Sequence, residues 1–138
     1  MATLGRTIPA LPVRDAAAAS AFYRDRLGFR VLHQDEGFVV LERDGAQVHL
    51  WQASDESWRE RQGDDRPVRS GAETFIAGTA SCRIEVAGVD DLYEELRARD
   101  VLHPVSRGGV DETDFGSREF ATLDADGNLI SFFEWVSP

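Results

Sequence analysis

Apolar residues recur along the chain with two different periods, one typical of helices and one typical of strands. Near the amino terminus they follow the three-to-four residue spacing of one buried helical stripe, at Ala19, Phe22, Tyr23 and Leu27. Asp15 stands where such a helix would be capped, and Gly28 stands where it would end. The pattern predicts a first helix between these two residues.

Short stretches on both sides of this helix have strand character. They cover residues 8–13 before the helix and residues 29–33, 38–42 and 47–52 after it. Asp44-Gly45 between the last two is a strong hairpin signal. Pro9 and Pro12 restrict the first strand to an edge or to a place where few ladder bonds are needed. The first part of the chain therefore predicts the order β-α-β-β-β.

The second part of the chain repeats that order. Strands are predicted at residues 80–86, 102–105, 119–123 and 128–135, with a hairpin at Asp126-Gly127. The helical stripe of this copy consists of Val89, Leu92, Tyr93 and Leu96. Matching Val13 with Val86 and Gly45 with Gly127 gives offsets of 73 and 82 residues, so the second copy is about nine residues longer, and we place the insertion within residues 107–117.

We therefore expect an α+β protein in which residues 1–138 form a single domain. Residues 1–53 would be the first βαβββ module, residues 54–78 a linker loop, and residues 79–138 the second module. The linker is rich in charge, glycine and serine, and long loops inside compact domains are often functional or covered by a partner.

Composition and charge narrow the classes of function. The chain is 42% hydrophobic and 29% charged, which is typical of a soluble globular protein. Fifteen basic against 25 acidic residues give a net charge of -10, which disfavours nucleic-acid binding and favours a cationic partner, although most acidic surfaces serve only solubility. A lone cysteine, Cys82, and the lack of a secretory leader or a long apolar run predict a cytoplasmic protein that does not cross a membrane.

Two βαβββ copies in one chain resemble the vicinal oxygen chelate superfamily, which includes glyoxalase I, extradiol dioxygenases, fosfomycin resistance enzymes and bleomycin resistance proteins. The residues that carry the resemblance form an early and a closing set. The early set is Leu11-Pro12-Val13-Arg14-Asp15, Phe22-Tyr23 and Leu27-Gly28-Phe29, and the closing set is Arg118-Glu119-Phe120-Ala121 and Asp124-Ala125-Asp126-Gly127-Asn128.

Within the superfamily, residues 48–56 (VHLWQASDE) and 75–86 (FIAGTASCRIEV) resemble the bleomycin resistance proteins most. This resemblance implies a non-catalytic, strand-exchanged homodimer that sequesters bleomycin-type glycopeptides in two crevices between its subunits. It implies no cofactor, because any metal would arrive inside the bound drug. The basic tail of such a drug would be met by the carboxylates Asp35, Glu36, Asp111, Glu112 and Asp114.

Metal-dependent members of the superfamily take ligands from the first and last strand of each copy. In this chain those four positions fall on Ile8, His49, Ser81 and Ser131. A catalytic divalent site needs about three strong protein ligands and an open position, and one imidazole with two hydroxyls does not meet that requirement. We therefore predict that no metal is bound and that His49 is either a hydrogen-bonded, half-buried histidine or a polar contact to a ligand.

Strand alternation and the resemblance together give the candidate ligand-binding residues. Alternation places His49 and Trp51 on one face of their strand, Ser81, Arg83 and Glu85 on a second, and Leu129, Ser131 and Phe133 on a third. Cys82 alternates with Ile84 and Val86 and is expected to be a small core residue. The resemblance suggests that Phe38 stacks on the flat rings of the drug. The full set of candidates is Phe38, His49, Trp51, Thr79, Ser81, Arg83, Phe115 and Ser117.

Three features leave alternatives open. Phe38 also fits an ordinary core phenylalanine, and Phe115 stands near the place where the family usually has its second stacking residue, a tryptophan. Trp51 and Trp58 suit either a ligand or a subunit interface. The competing functions are a metal-dependent glyoxalase or dioxygenase-type enzyme of the same fold, and a binder of another planar cationic molecule.

Overall fold

Each half of the chain builds one helix and one four-stranded sheet. The computed structural model describes residues 1–53, 70–74 and 76–136. The first half contains β1 (Ala10–Val13), α1 (Ala16–Asp25), β2 (Arg30–Gln34), β3 (Phe38–Arg43) and β4 (Ala46–Gln52). The second half contains β5 (Ser81–Glu85), α2 (Val89–Arg97), β6 (Asp111–Glu112), β7 (Ser117–Leu123) and β8 (Leu129–Trp135). The predicted α+β fold with two βαβββ copies is confirmed.

The two sheets have the same topology. Their strand orders are β1-β4-β3-β2 and β5-β8-β7-β6. In each, the first strand runs parallel to the last, and the last two strands form an antiparallel hairpin. β1 is an edge strand, which accommodates its proline because an edge leaves one side of the ladder unpaired. β1 begins at Ala10, two residues later than predicted.

The apolar faces of both sheets and both helices share one core. The first sheet contributes Val39, Leu41, Val48 and Leu50, and the second contributes Phe120, Ile130 and Phe132. Successive strand residues point to opposite faces, so the remaining side chains of each sheet point away from this core. Val48, Leu50, Ile130 and Phe132 are buried and alternate with the residues that the sequence places on the other face of their strands. The other face of each sheet carries polar and half-buried residues.

Local signals account for the first helix. The Asp15 side chain accepts a hydrogen bond from the Ala18 backbone N–H at 2.9 Å, which satisfies one of the free donors at the helix start.

Cys82 packs against the core as predicted. Burial raises the pKa of its thiol to about 11, so at neutral pH the thiolate that nucleophilic chemistry needs is scarce.

The strand predicted at residues 102–105 is wrong. Leu102 makes an isolated bridge with Thr122, and Pro104–Ser106 form a short 3₁₀ helix. Pro104 has no N–H for a ladder, and the His103 imidazole accepts a hydrogen bond from the Val105 N–H, which favours a turn. β7 pairs with β8 on one side and with the two-residue β6 on the other, and β6 lies inside the predicted insertion.

Most of the predicted linker, including Trp58, lies outside the described residues.

A buried polar network around Asp124 joins the two halves. One oxygen of the Asp124 carboxylate accepts hydrogen bonds from the Tyr23 hydroxyl at 2.8 Å and the Asn128 side chain at 2.9 Å. The other oxygen accepts from the backbone N–H groups of Asp126 and Asn128, both at 2.9 Å. The Asn128 amide also donates to the Pro12 carbonyl at 2.8 Å. The loop between β7 and β8 is thereby fixed to the first half of the chain.

We expect Gly78→Ala to destabilise the fold more than Gly71→Ala does. Both glycines have positive φ, at 85° and 93°, so both substitutions carry backbone strain. A Cβ on Gly78 would clash with the Asp126 carbonyl oxygen, whereas among the described residues nothing lies within 4 Å of a Cβ on Gly71. The difference in unfolding free energy should be about 2 kcal/mol from overpacking. Urea unfolding of both variants measures it, and equal losses would contradict the close contact.

Candidate ligand-binding site

An aromatic group lies on the outward face of the first sheet. Phe38, at the start of β3, pairs with Trp51 of β4, and Val40 pairs with His49. The Phe38 ring centroid lies 4.6 Å from that of Trp51 and 5.1 Å from that of His49. His33 of β2 lies 5.8 Å away. All four rings belong to half-buried or exposed side chains, so Phe38 is not part of the shared core. We call these four residues the Phe38 group.

The sequence pattern did not reveal that His33 belongs to the Phe38 group. β2 has a register shift between Val31 and His33, so simple alternation fails there. The shift places His33 opposite Val40 on the outward face. The His33 Nε2 lies 3.0 Å from Asp35 Oδ2, and this hydrogen bond is the main reason why the pKa of the Asp35 carboxyl is lowered.

The His49 side chain is half-buried and forms a hydrogen bond with another side chain of the same strand. Its Nε2 lies 3.1 Å from the Gln47 side-chain oxygen, and the Phe38 ring packs edge-on against it. Partial burial lowers the pKa of the imidazole, because removal of water disfavours the charged form. At neutral pH the ring is therefore neutral and offers one donor and one acceptor.

The lowered pKa of His49 predicts a pH dependence of stability. Above pH ~6.5 the imidazole is neutral in both the folded and the unfolded chain, so it contributes no pH dependence. As the pH falls below 6.5, the unfolded chain takes up the proton first, and folding stability decreases until the folded-state pKa is passed. We expect His49→Asn to lose part of this decrease in chemical denaturation between pH 7.5 and pH 5.5. Parallel curves for variant and wild type would contradict it.

A second aromatic group lies on the outward face of the second sheet. The Arg83 guanidinium carbon lies 4.6 Å from the centroid of Phe133 and 6.0 Å from that of Phe115. Trp135 packs edge-on against both rings, at 5.3 Å from Phe133 and 6.5 Å from Phe115. Arg83 also forms an ion pair with Glu119 at 2.8 Å. Strand alternation pointed to Arg83 and Phe133 as residues of this face. Trp135 and Glu119 were not among the candidate ligand-binding residues.

Phe115 is held out from the protein by a tight turn. Gly116 next to it has φ of 94°, a conformation that favours glycine. The Ser117 side chain is buried and shares a 2.9 Å hydrogen bond with the Thr113 hydroxyl, and the Thr113 hydroxyl also accepts from the Ser117 N–H. Ser117 thus positions the turn that carries Phe115, whose ring is 60% exposed.

The remaining candidates lie at the start of the second module. Ser81 is the exposed first residue of β5, on the same face as Arg83. Thr79 is exposed, and its hydroxyl donates to the Ile76 carbonyl. The candidates therefore fall into two sets, one on each outward face.

Asp35 borders the Phe38 group, because its Oδ2 lies 3.0 Å from the His33 Nε2. A cleft of about 460 Å³ is lined by Asp15, Asp35 and Glu36, together with Gln34 and Gln52. The Gln52 side chain accepts a hydrogen bond from the Ala16 N–H at 3.0 Å, so this cleft lies at the start of α1. Asp111 and Glu112 form the exposed β6 strand on the other sheet. Asp35 therefore places negative charge beside the Phe38 group.

The four positions aligned with the superfamily's metal ligands carry one strong donor, the His49 imidazole, beside the hydroxyls of Ser81 and Ser131 and the aliphatic side chain of Ile8. His49 lies on the first sheet, Ser81 and Ser131 lie on the second, and Ile8 precedes β1. In the part of the chain that the structure describes, three or more His, Cys, Asp or Glu side chains nowhere converge as a metal site requires. The residues present do not fit the catalytic metal of the superfamily's enzymes.

Among the described helices, none has the length and apolar character that a membrane span requires.

Fold and sequence together define the class of this protein. Residues 4–132 match the Glyoxalase/Bleomycin resistance protein/Dioxygenase superfamily, and the chain belongs to that family. It is 49% identical over 131 residues to the bleomycin resistance proteins of Geobacillus stearothermophilus and Staphylococcus aureus, covering 95% of this chain and 97% of theirs. The bleomycin-binding protein of Streptomyces verticillus, solved with copper(II)-bleomycin, is similar over the full length of both chains, with a TM-score of 0.72 and 26% identity.

Proposed function

We propose that this protein binds bleomycin-type glycopeptides and sequesters them without chemical change, so that the drug cannot reach DNA. The observation that carries the proposal is the Phe38 group, an outward-facing set of rings in which His33 hydrogen-bonds to the Asp35 carboxylate. Planar heteroaromatic rings stack well on such surfaces, and the carboxylate suits a basic tail. The 49% identity to bleomycin resistance proteins supports the same ligand.

The proposal includes a homodimer with the ligand held between subunits. The two candidate sets lie on different sheets, and a second chain would place the first sheet of one subunit against the second sheet of the other. Residues 1–9 precede β1, and the apolar side chains Met1, Leu4 and Ile8 are exposed on this arm. A groove of about 880 Å³ runs between the arm and residues 83–88. Exchange of the arms between two chains would cover these apolar side chains.

Each candidate residue then has a role in the proposed crevice. Phe38 of one subunit and Phe115 of the other would stack on the flat rings of the drug. Trp51 supports Phe38 from the side, and His49 offers a polar contact. Ser81 and Thr79 would supply polar contacts at the second sheet, Arg83 lies among the rings that meet the drug there, and Ser117 positions Phe115. The metal in such a complex would belong to the drug, and the protein would act in the cytoplasm.

Plasmid protection separates sequestration from catalysis. We expect the purified protein to suppress DNA nicking by metal-activated bleomycin in proportion to its concentration, with full protection near one subunit per drug molecule. Drug released by denaturing the protein should have an unchanged mass. Protection at far less than one subunit per drug, with an altered drug mass, would show an enzyme and contradict the proposal.

The dimer is tested by sedimentation equilibrium of the full chain. We expect the mass of two chains, about twice the 15.3 kDa of one chain, with and without copper-bleomycin. A monomer that binds the drug with undiminished affinity would contradict the proposed crevice, because that crevice takes one candidate set from each subunit.

A further inference from the structure

The second aromatic group, on the outward face of the second sheet, packs against a cation of the protein itself, the Arg83 guanidinium. Arg83 lies over the Phe133 ring at 4.6 Å and near Phe115 at 6.0 Å, while Trp135 closes the group from the side. Glu119 supplies the counter-charge at 2.8 Å. Aromatic faces with a nearby carboxylate are the recognition chemistry for ammonium and guanidinium groups.

The Arg83 side chain is placed so that it can move away from the rings and into water. Its side chain is 43% exposed and is carried by β5, an edge strand of the second sheet. A guanidinium on a flexible stem can move into water at small cost, because surface ion pairs contribute little. Glu119 is only 25% exposed and would then need another cation. The vacated space therefore selects for positive charge.

We propose that Phe115, Phe133, Trp135 and Glu119 form a subsite for a cationic group of the ligand, and that Arg83 fills this subsite until the ligand displaces it. The identity of the ligand as a bleomycin-type drug rests on the proposed function, but the cation subsite does not. Arg83 is then an internal competitor that weakens the binding of cationic molecules and leaves the binding of neutral and anionic ones unchanged.

Methylguanidinium tests the subsite without the drug. We expect it to shift the Trp135 indole N–H signal in Arg83→Ala at millimolar concentrations, and to shift it far less in wild type. Adding Glu119→Gln to Arg83→Ala should abolish the shift. Arg30→Ala is the matched control, because Arg30 also pairs with a carboxylate that is 25% exposed, Glu42 on the first sheet. Equal responses in wild type and Arg83→Ala would overturn the proposal.

Copper-bleomycin then tests the role of the subsite in the proposed function. Arg83→Ala should bind the drug with its cationic tail roughly three- to tenfold more tightly than wild type does, the range that one cation–π contact supplies. A form of the drug with a carboxylate in place of the tail should bind both proteins equally. Equal weakening of both forms by Arg83→Ala would mean that Arg83 contacts the drug directly, and would overturn displacement. Absence of drug binding by wild type would instead contradict the proposed function, and the methylguanidinium result would still stand.

Discussion

Replacing Phe38 with alanine should raise the Kd for copper-bleomycin by about 30-fold. Phe38 is the centre of its aromatic group, with Trp51 at 4.6 Å and His49 at 5.1 Å. Removing its ring takes away the stacking surface and loosens the two neighbours. A central aromatic anchor of a binding site contributes about 2 kcal/mol, which corresponds to this change in affinity. Calorimetric titration of the variant measures it.

Leu32→Ala is the control for this substitution. Leu32 is a 46% exposed apolar side chain on β2 of the same sheet. Its loss should leave the Kd within about twofold and the unfolding free energy nearly unchanged, as is usual for surface positions. Phe38→Ala with wild-type affinity would show that the drug does not stack on this face, and the Phe38 group would then be a structural feature of the sheet.

Asp124→Ala should lower the unfolding free energy by about 4 kcal/mol. The buried carboxylate accepts four hydrogen bonds, from the Tyr23 hydroxyl, the Asn128 side chain and the backbone of Asp126 and Asn128. Without it these donors lose their partner in a buried place, and each such loss costs about 1–3 kcal/mol. Chemical denaturation followed by circular dichroism gives the value.

Tyr23→Phe separates one bond of this network from the rest. It removes only the hydroxyl, and should cost about 1–2 kcal/mol. Asp111→Ala changes an exposed carboxylate on β6 and should cost less than about 0.5 kcal/mol. If Asp124→Ala lost no more stability than Asp111→Ala, the network would not be what joins the two halves of the chain.

The sequence predicted most of the fold because local patterns and packing agree in it. Val48, Leu50, Ile130 and Phe132 alternate with polar neighbours, and burial of one face requires that alternation. The error at residues 102–105 arose where a proline and a histidine cap compete with strand pairing. Local apolar character could not reveal that competition.

The candidate site could be predicted only in part. Alternation correctly placed His49, Trp51 and Arg83 on outward faces, but the bulge in β2 hid His33. The closing run that ends at Asn128 predicted a hairpin, whereas its side chains connect the two halves through Pro12. Contacts between residues so far apart in the chain depend on tertiary packing. No short sequence pattern contains them.

Parallel calorimetric titrations of chelator-treated protein with copper-bleomycin and with free nickel or zinc test the central claim most directly. Sequestration predicts tight drug binding near one molecule per subunit and weak uptake of free metal, because one imidazole and two hydroxyls, from His49, Ser81 and Ser131, supply too few strong ligands for a divalent ion. Stoichiometric uptake of free metal without drug binding would contradict this account and indicate a metal-dependent enzyme.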